Sequence, residues 1–273
     1  MTMRQVLLTG AKGGVAGMLR PYLRTICETL VLSDRAPVDD LAANERFVLA
    51  DLGDRAALEA ACRGIDGIVH LGGYSVEGPW EEIHSANIVG LWNLYEAARA
   101  AGVKRVVFAS SNHAMGFYRR RDRVGVDEPV RPDSRYGISK AFGEAVGAFF
   151  ADKHGLRVMS IRIGNVGMAP IDKRRLSIWI HPEDLFQLCR IGLEHPDLHH
   201  VIVYGESLNE RSWWDNRTAH RLGYAPVHRA EDHATAALEA QARLPADPVG
   251  DLFQGGAFCS IEFAGDLTRT GIS

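Results

Sequence analysis

Short apolar runs and longer amphipathic stretches alternate along the first 165 residues. The runs are Gln5–Thr9, Thr29–Leu32, Phe47–Ala50, Gly67–His70, Arg105–Ala109 and Arg157–Arg162. Each is too short for a helix and lacks strict polar alternation, which predicts strands buried on both faces of a parallel sheet. Between them Ala16–Thr25, Arg55–Cys62, Ile83–Ala101 and Tyr136–His154 predict helices. In the third of these, Ile88, Leu91, Leu94, Tyr95 and Ala98 recur at three- and four-residue spacing and form one apolar stripe. This alternation predicts an α/β fold, a Rossmann-type doubly wound parallel sheet.

Beyond Asn165 the pattern loosens. Val201–Tyr204 predicts one more strand, His181–Leu193 and Glu231–Ala242 predict helices, and Leu244–Val249 and Gln254–Ala257 read as loops. Without a Ser/Gly linker, residues 1–273 are expected to form one compact unit. Residues 1–165 would be mainly its dinucleotide-binding part, and 166–273 a small C-terminal substrate-binding region packed over the sheet.

Composition narrows the function classes. With 46% hydrophobic and 24% charged residues the chain reads as an ordinary globular protein. A formal net charge of -3 gives no basis for a general nucleic-acid-binding surface. No run approaches the ~20 apolar residues of a membrane helix, and Met1–Val6 has no signal-peptide pattern. Cys27, Cys62, Cys189 and Cys259 form no CxxC pair, so reduced thiols in a cytoplasmic protein are expected and a zinc site is not. His199-His200 lacks spaced partner ligands, and Arg119-Arg120-Arg121 with Arg123 reads as a solvated basic loop. Trp213-Trp214 reads as packing, with a cover over a bound ligand as the alternative.

The first strand runs into Thr9-Gly10-Ala11-Lys12-Gly13-Gly14-Val15-Ala16-Gly17 and then a helix. Glycines at such a turn let the backbone approach a pyrophosphate, and the helix N-terminus supplies free N–H groups. This places Gly10, Gly13, Val15 and Ala16 against a dinucleotide. The second strand leads to Asp34, 24 residues after Gly10, where an acid accepts hydrogen bonds from the adenosine ribose and favours NAD over NADP. The adjacent Arg35 offers a guanidinium to a 2′-phosphate and pulls the other way. Asp51-Leu52 stands where it would meet the adenine, or where Asp51 would cap the next helix.

Tyr136-Gly137-Ile138-Ser139-Lys140 puts a phenol and an ammonium four residues apart on one helix face. A nearby cation is expected to lower the phenol's pKa and make it a general base. Ser111, just past the strand Arg105–Ala109, is placed to orient a substrate hydroxyl or carbonyl.

Together Thr9-Gly10-x-x-Gly13, Asp34, Asp51-Leu52, Asn87, Ser111 and Tyr136-x-x-x-Lys140 resemble the extended short-chain dehydrogenase/reductase family. The finer resemblance is to uronate dehydrogenases. It is carried by Asp66–Gly73 with Ser75-Val76-Glu77, Asn87–Leu91, Phe108–His113, Arg162–Gly164, Leu176-Ser177-x-Trp179, Trp213–Asn216 and Gln254-Gly255-Gly256. The resemblance implies NAD-dependent oxidation of C1 of a hexuronic acid, glucuronate or galacturonate, to an aldarolactone. It implies Ser111, Tyr136 and Lys140 as catalytic residues, with Leu71, Gly72 and Asn87 beside the cofactor and Lys140 and Tyr136 at its ribose. Ser75, Ser111, Asn112, His113, Tyr136 and residue 165 would meet the sugar, and Arg174 its carboxylate. Two departures stand out: Asn165 replaces a small serine, and Gly167-Met168-Ala169 replaces a more polar, proline-bearing stretch. They leave open a dehydrogenase of another sugar or sugar acid. A nucleotide-sugar epimerase or dehydratase would need a larger C-terminal pocket. A non-catalytic dinucleotide sensor would not need the Tyr/Lys pair. A sugar-acid substrate is thus the expected partner, with no nucleic acid and no membrane; the two long helices also resemble a homo-oligomerising pair.

Overall fold

The computed structural model describes residues 3–268. Expectations for Met1 and Thr2, where the signal-peptide reading begins, and for residues 269–273 lie outside the described residues.

Among the described residues nine strands and ten α-helices follow one another. They begin β1 (Met3–Thr9), α1 (Gly14–Leu23), β2 (Cys27–Asp34), β3 (Glu45–Leu49), α2 (Arg55–Ala61), β4 (Gly67–His70) and α3 (Trp80–Ile83). A π-helical segment (His84–Val89) joins α3 to α4 (Gly90–Ala100), followed by β5 (Arg105–Ser111), α5 (Arg135–His154) and β6 (Arg157–Ile163). The later elements are β7 (Asn165–Val166), α6 (Arg175–Ile178), β8 (Trp179–Ile180), α7 (Pro182–Glu194), β9 (His200–Gly205), α8 (Arg217–Arg221), α9 (Ala234–Gln241) and α10 (Ala257–Ser260).

Seven strands form one parallel sheet in the order β3-β2-β1-β4-β5-β6-β9. Alternate residues of one strand feed opposite faces. Val6 and Leu8 of β1 join Leu19 and Leu23 of α1 and Leu185 and Leu188 of α7 on one side. Leu7 joins Leu58 of α2, Leu94 of α4 and Phe150 of α5 on the other. Burial on both faces is why these strands read as unbroken apolar runs. The order reverses between β1 and β4, which opens a crevice at the C-terminal ends of the strands.

The expected doubly wound sheet is observed. One expected helix differs in kind: Ile83–Ala101 is crossed by the π segment, which holds the buried Asn87. Such bulges cluster at functional sites. The tail read as a loop at 254–257 turns through Gly256, at φ +66, into α10. Cys27, Cys62, Cys189 and Cys259 are all free and buried. No helix among the described residues is long and apolar enough to cross a membrane.

Candidate active site

The cradle for a dinucleotide is built from backbone. Gly10 sits at φ +67, and a Cβ there would lie 2.7 Å from the Gly72 nitrogen. Only glycine satisfies both the left-handed backbone and this approach. Gly72 N–H donates to Thr9 Oγ1 (3.3 Å) and Leu71 N–H to the Thr9 carbonyl (3.3 Å), which locks the ends of β1 and β4 together. Gly13 begins α1 without a side-chain cap, so the turn offers open N–H groups. Val15 is half-buried and Ala16 packs into the core beneath. Asp34, at the end of β2, accepts from Lys12 N–H at 3.0 Å and Ala36 N–H at 3.3 Å, so its carboxylate stands over the same turn. Arg35 is exposed. Asp51 accepts from Gly53 N–H at 2.7 Å, whereas Asp54 caps α2 through Ala57 N–H. The capping alternative for Asp51 is therefore corrected, because the cap is Asp54, three residues later. Leu52 is half-buried against the helix that carries Gly90.

Asn87 ties this cradle to α5. It accepts from Tyr74 N–H at 2.7 Å and donates to the Tyr74 carbonyl and to Ser139 Oγ, each at 2.9 Å. Ser139 in turn donates to the Tyr136 carbonyl. A π turn has an extra residue per turn, which aims Asn87 at both the loop and the helix.

Ser134 caps α5 by accepting from Gly137 N–H at 2.9 Å, so Tyr136 lies in the helix's first turn. Lys140 Nζ donates to the Ala109 carbonyl at 2.8 Å and stands 5.4 Å from the Tyr136 ring centre. Burial pushes Lys140 down to about 8. It also raises the Tyr136 phenol to about 12; a hydrogen bond with Ser111 works against this, and the Asp133 charge adds to it. The expected lowering of the tyrosine's pKa by Lys140 is thus not observed. Desolvation is the largest influence on the phenol, and Lys140 sits at the ring face, engaged by a carbonyl.

Ser111 is buried at the end of β5 and accepts from His113 N–H. His113 Nδ1 bonds Asp133 Oδ2 at 2.7 Å, and its ring meets Tyr136 edge-on with centres 5.9 Å apart. Burial lowers the His113 pKa against the pull of Asp133. The Asn112 amide, oriented by its partners, accepts from Arg174 Nη2 at 3.0 Å and donates to the Ile163 carbonyl at 3.2 Å. Arg174 Nε donates to the Gln254 carbonyl at 2.8 Å. Burial, with Arg175 and Arg120 nearby, pushes Arg174 down to about 10, so it is still a cation at neutral pH. No carboxylate among the described residues pairs with it; Arg175 takes Asp172 instead. Asn165 opens β7, paired with Trp179 of β8, and is half-buried. Ser75 is exposed on the loop after β4, between Tyr74, held by Asn87, and Glu77. The chain thus gathers a buried phenol, ammonium, hydroxyl and unpaired guanidinium at one crevice beside a dinucleotide cradle.

A family model described as the NAD dependent epimerase/dehydratase family matches residues 6–181, from β1 through Arg174. The chain belongs to this family. It is 46% identical to a uronate dehydrogenase of Pseudomonas putida, over 93% of this chain and 95% of that one. It superposes on a glucuronic acid dehydrogenase from Chromohalobacter salexigens with a TM-score of 0.90, at 40% identity over 95% of this chain and 97% of the other. A tyrosine-to-alanine mutant of Agrobacterium tumefaciens uronate dehydrogenase, complexed with NAD, gives 0.91 at 42% identity, over 95% and 98%.

In this member of the family, residues to which the sequence assigned no role complete the crevice. Glu77 accepts from Arg135 at 2.6 Å and from Tyr136 N–H at 3.0 Å, and so joins the Ser75 loop to the start of α5. Asp133 holds His113. Phe258 of α10 stacks on His113 at 3.9 Å, with its ring centre 6.2 Å from that of Tyr136. Only Gln254-Gly255-Gly256 signalled this wall, and Phe258 lies just past it. Trp214 is buried and stacks on Tyr204 at 4.6 Å, so it is packing and not a cover. His199 bonds Asp152 at 2.8 Å. Among the described residues, the group in ligating range of one another is His181, Glu183 and His228, whose donor atoms lie within 4.8 Å. There His181 Nδ1 accepts from Glu183 N–H and caps α7.

Proposed function

We propose that this chain is an NAD-dependent uronate dehydrogenase that oxidises C1 of glucuronate or galacturonate to the aldarolactone. The single observation that carries the substrate class is Arg174: a buried guanidinium with no acidic partner, bonded to Asn112 and Gln254 in the crevice that holds Tyr136. A buried, unpaired cation is costly. A substrate carboxylate at C6 would relieve that cost and set the sugar's orientation through a bidentate pair.

The glycine turn from Gly10 to Ala16 would hold the pyrophosphate of NAD, and Asp34 the adenosine ribose. Asp51, Leu52, Leu71, Gly72 and Asn87 would line the same cofactor. Bound NAD supplies the hydride acceptor. Tyr136, as phenolate, removes the C1 hydroxyl proton, and Ser111 donates a hydrogen bond to the same oxygen as it becomes a carbonyl. Lys140 would hold the nicotinamide ribose. Its ammonium also favours the phenolate once the crevice is filled. His113 uses Nδ1–H for Asp133, which leaves Nε2 to accept from a sugar hydroxyl. Ser75, Asn112 and Asn165 contribute further polar contacts to the sugar. In this reading residues 1–165 mainly bind the cofactor and 166–273 mainly cover the substrate. Exposed Trp92 on α4 and Phe149 on α5, 5.8 Å apart, support self-association through those helices.

The test is an initial-rate assay with NAD against glucuronate, galacturonate and glucose, with NADP in parallel. NAD reduction with a uronate and little with glucose is expected. Reduction with glucose alone would remove the uronate from the reading.

A further inference from the structure

The basic run singled out in the sequence divides in two in the fold. Arg120 is structural: it donates to the Gly250 carbonyl at 2.6 Å and the Phe253 carbonyl at 3.1 Å, and lies over the Trp213 ring. Arg119, Arg121, Arg123 and Arg131 instead line a separate cavity of about 390 Å³, with Tyr118 and Glu128 among its other walls. Ser111, Tyr136, Lys140 and Arg174 are not among its lining residues.

Among the described residues, the guanidinium groups of Arg119, Arg123 and Arg131 form no ion pair within 4.0 Å. The Nε of half-buried Arg119 is shut off from solvent and has no hydrogen-bond partner. Arg131 lies 5.4 Å over the Tyr118 ring, which holds its fork in place. Arg121 has only a 3.8 Å contact with Asp122. A buried donor without a partner is costly. A solvated loop would turn its cations outward, as Arg121 does; Arg119 is half-buried, lines the cavity and has no acidic partner among the described residues.

We propose that this cavity is a binding site for a phosphate monoester of a small hydroxylated molecule, such as a sugar phosphate. Guanidinium forks match phosphate oxygens bidentately, and several forks on one wall suit a dianion better than a single carboxylate. Asp122 and Glu128 line the same cavity and would repel a second anionic group. They suit hydroxyl donors, so the ester is favoured over a dicarboxylate. The volume falls within the range of small-molecule sites.

Isothermal titration in a phosphate-free buffer tests this, with glucose 6-phosphate, inorganic phosphate, galactarate and glucuronate as probes. Saturable binding of glucose 6-phosphate is expected to weaken at least about tenfold in the double variant Arg119→Gln/Arg131→Gln, the loss of one charge-assisted pair or more. Uronate oxidation without added phosphate ester is expected to stay unchanged in that variant. Absence of binding up to about 10 mM, a dissociation free energy below 3 kcal/mol, would overturn the site. So would equal affinity in the double variant, displacement by glucuronate, or galactarate binding as tightly as the ester. Should the double variant melt early, Arg121→Glu, at an exposed position, must still weaken the ester. Binding is read without turnover, so this result stands apart from the uronate assay.

Discussion

The two walls of the crevice are made of different material. The wall proposed for the cofactor is backbone: Gly10 against Gly72, Leu71 N–H on Thr9, and an uncapped start to α1. The wall proposed for the sugar is side chains brought from five stretches: Ser75, Ser111 to His113, Tyr136, Arg174 and Phe258. Backbone geometry depends on a few glycines and tolerates change elsewhere. A side-chain wall can be altered one contact at a time, which is how one fold serves many substrates.

The sharpest way to break this division is through Tyr136, which faces both walls. Tyr136→Phe is expected to lower kcat about a thousandfold or more while the Kd for NAD, measured by titration, changes little. Retained turnover would remove it as the base. Next, Arg174→Ala should raise the KM for a uronate roughly 10- to 100-fold, the loss of a charge-assisted pair, and leave a neutral aldose unaffected. Equal effects on both sugars would place Arg174 outside substrate recognition.

On the cofactor wall, Gly10→Ala is expected to cost about 2–4 kcal/mol of stability, from left-handed strain and overpacking, and to weaken NAD. Denaturant unfolding checks the first and titration the second. A stable variant with normal NAD affinity would contradict the backbone account.

The smallest effect concerns charge. Lys140 is depressed from its ordinary value of 10.5 to about 8 by burial, so its charged form destabilises the fold below pH 8. The unfolded chain binds more protons between about pH 8 and 10.5, and stability gains from this group across that window. Lys140→Met should therefore melt higher than the native chain at pH 7, by a margin worth about 1–3 kcal/mol. That margin should shrink as pH rises from 8 to 10.5. A margin constant with pH would show that Lys140 is not buried as a cation.

These contrasts also explain what the sequence disclosed. The sheet was legible because strands buried on both faces leave continuous apolar runs. The Gly10 turn was legible because left-handed backbone demands glycine at fixed spacing. The roles of Glu77, Asp133 and Phe258 were not, since their partners lie tens of residues away; Glu77 stood only within the Ser75-Val76-Glu77 resemblance. The π turn at Asn87 escaped because its apolar stripe continues on both sides. The direction of the Tyr136 shift escaped because spacing shows a neighbouring charge but not the amount of water excluded. The resemblance supplied Arg174, whose lack of a carboxylate is visible only in three dimensions.

Chain order along β1, β4 and α10 has a consequence for synthesis. Gly10 finds its partner Gly72 early, whereas Arg174 waits for the carbonyl of Gln254 and His113 for the ring of Phe258. As the chain emerges from a ribosome, everything that contacts the Gly10 turn is therefore present long before the sugar wall can close. A premature stop before codon 254 would leave a polypeptide that keeps Leu71 and Gly72 for its Gly10 turn and loses the Gln254 carbonyl from Arg174 Nε, with Asn112 still on Nη2. Truncation at this end therefore removes part of the second wall while leaving the residues of the Gly10 turn in the chain.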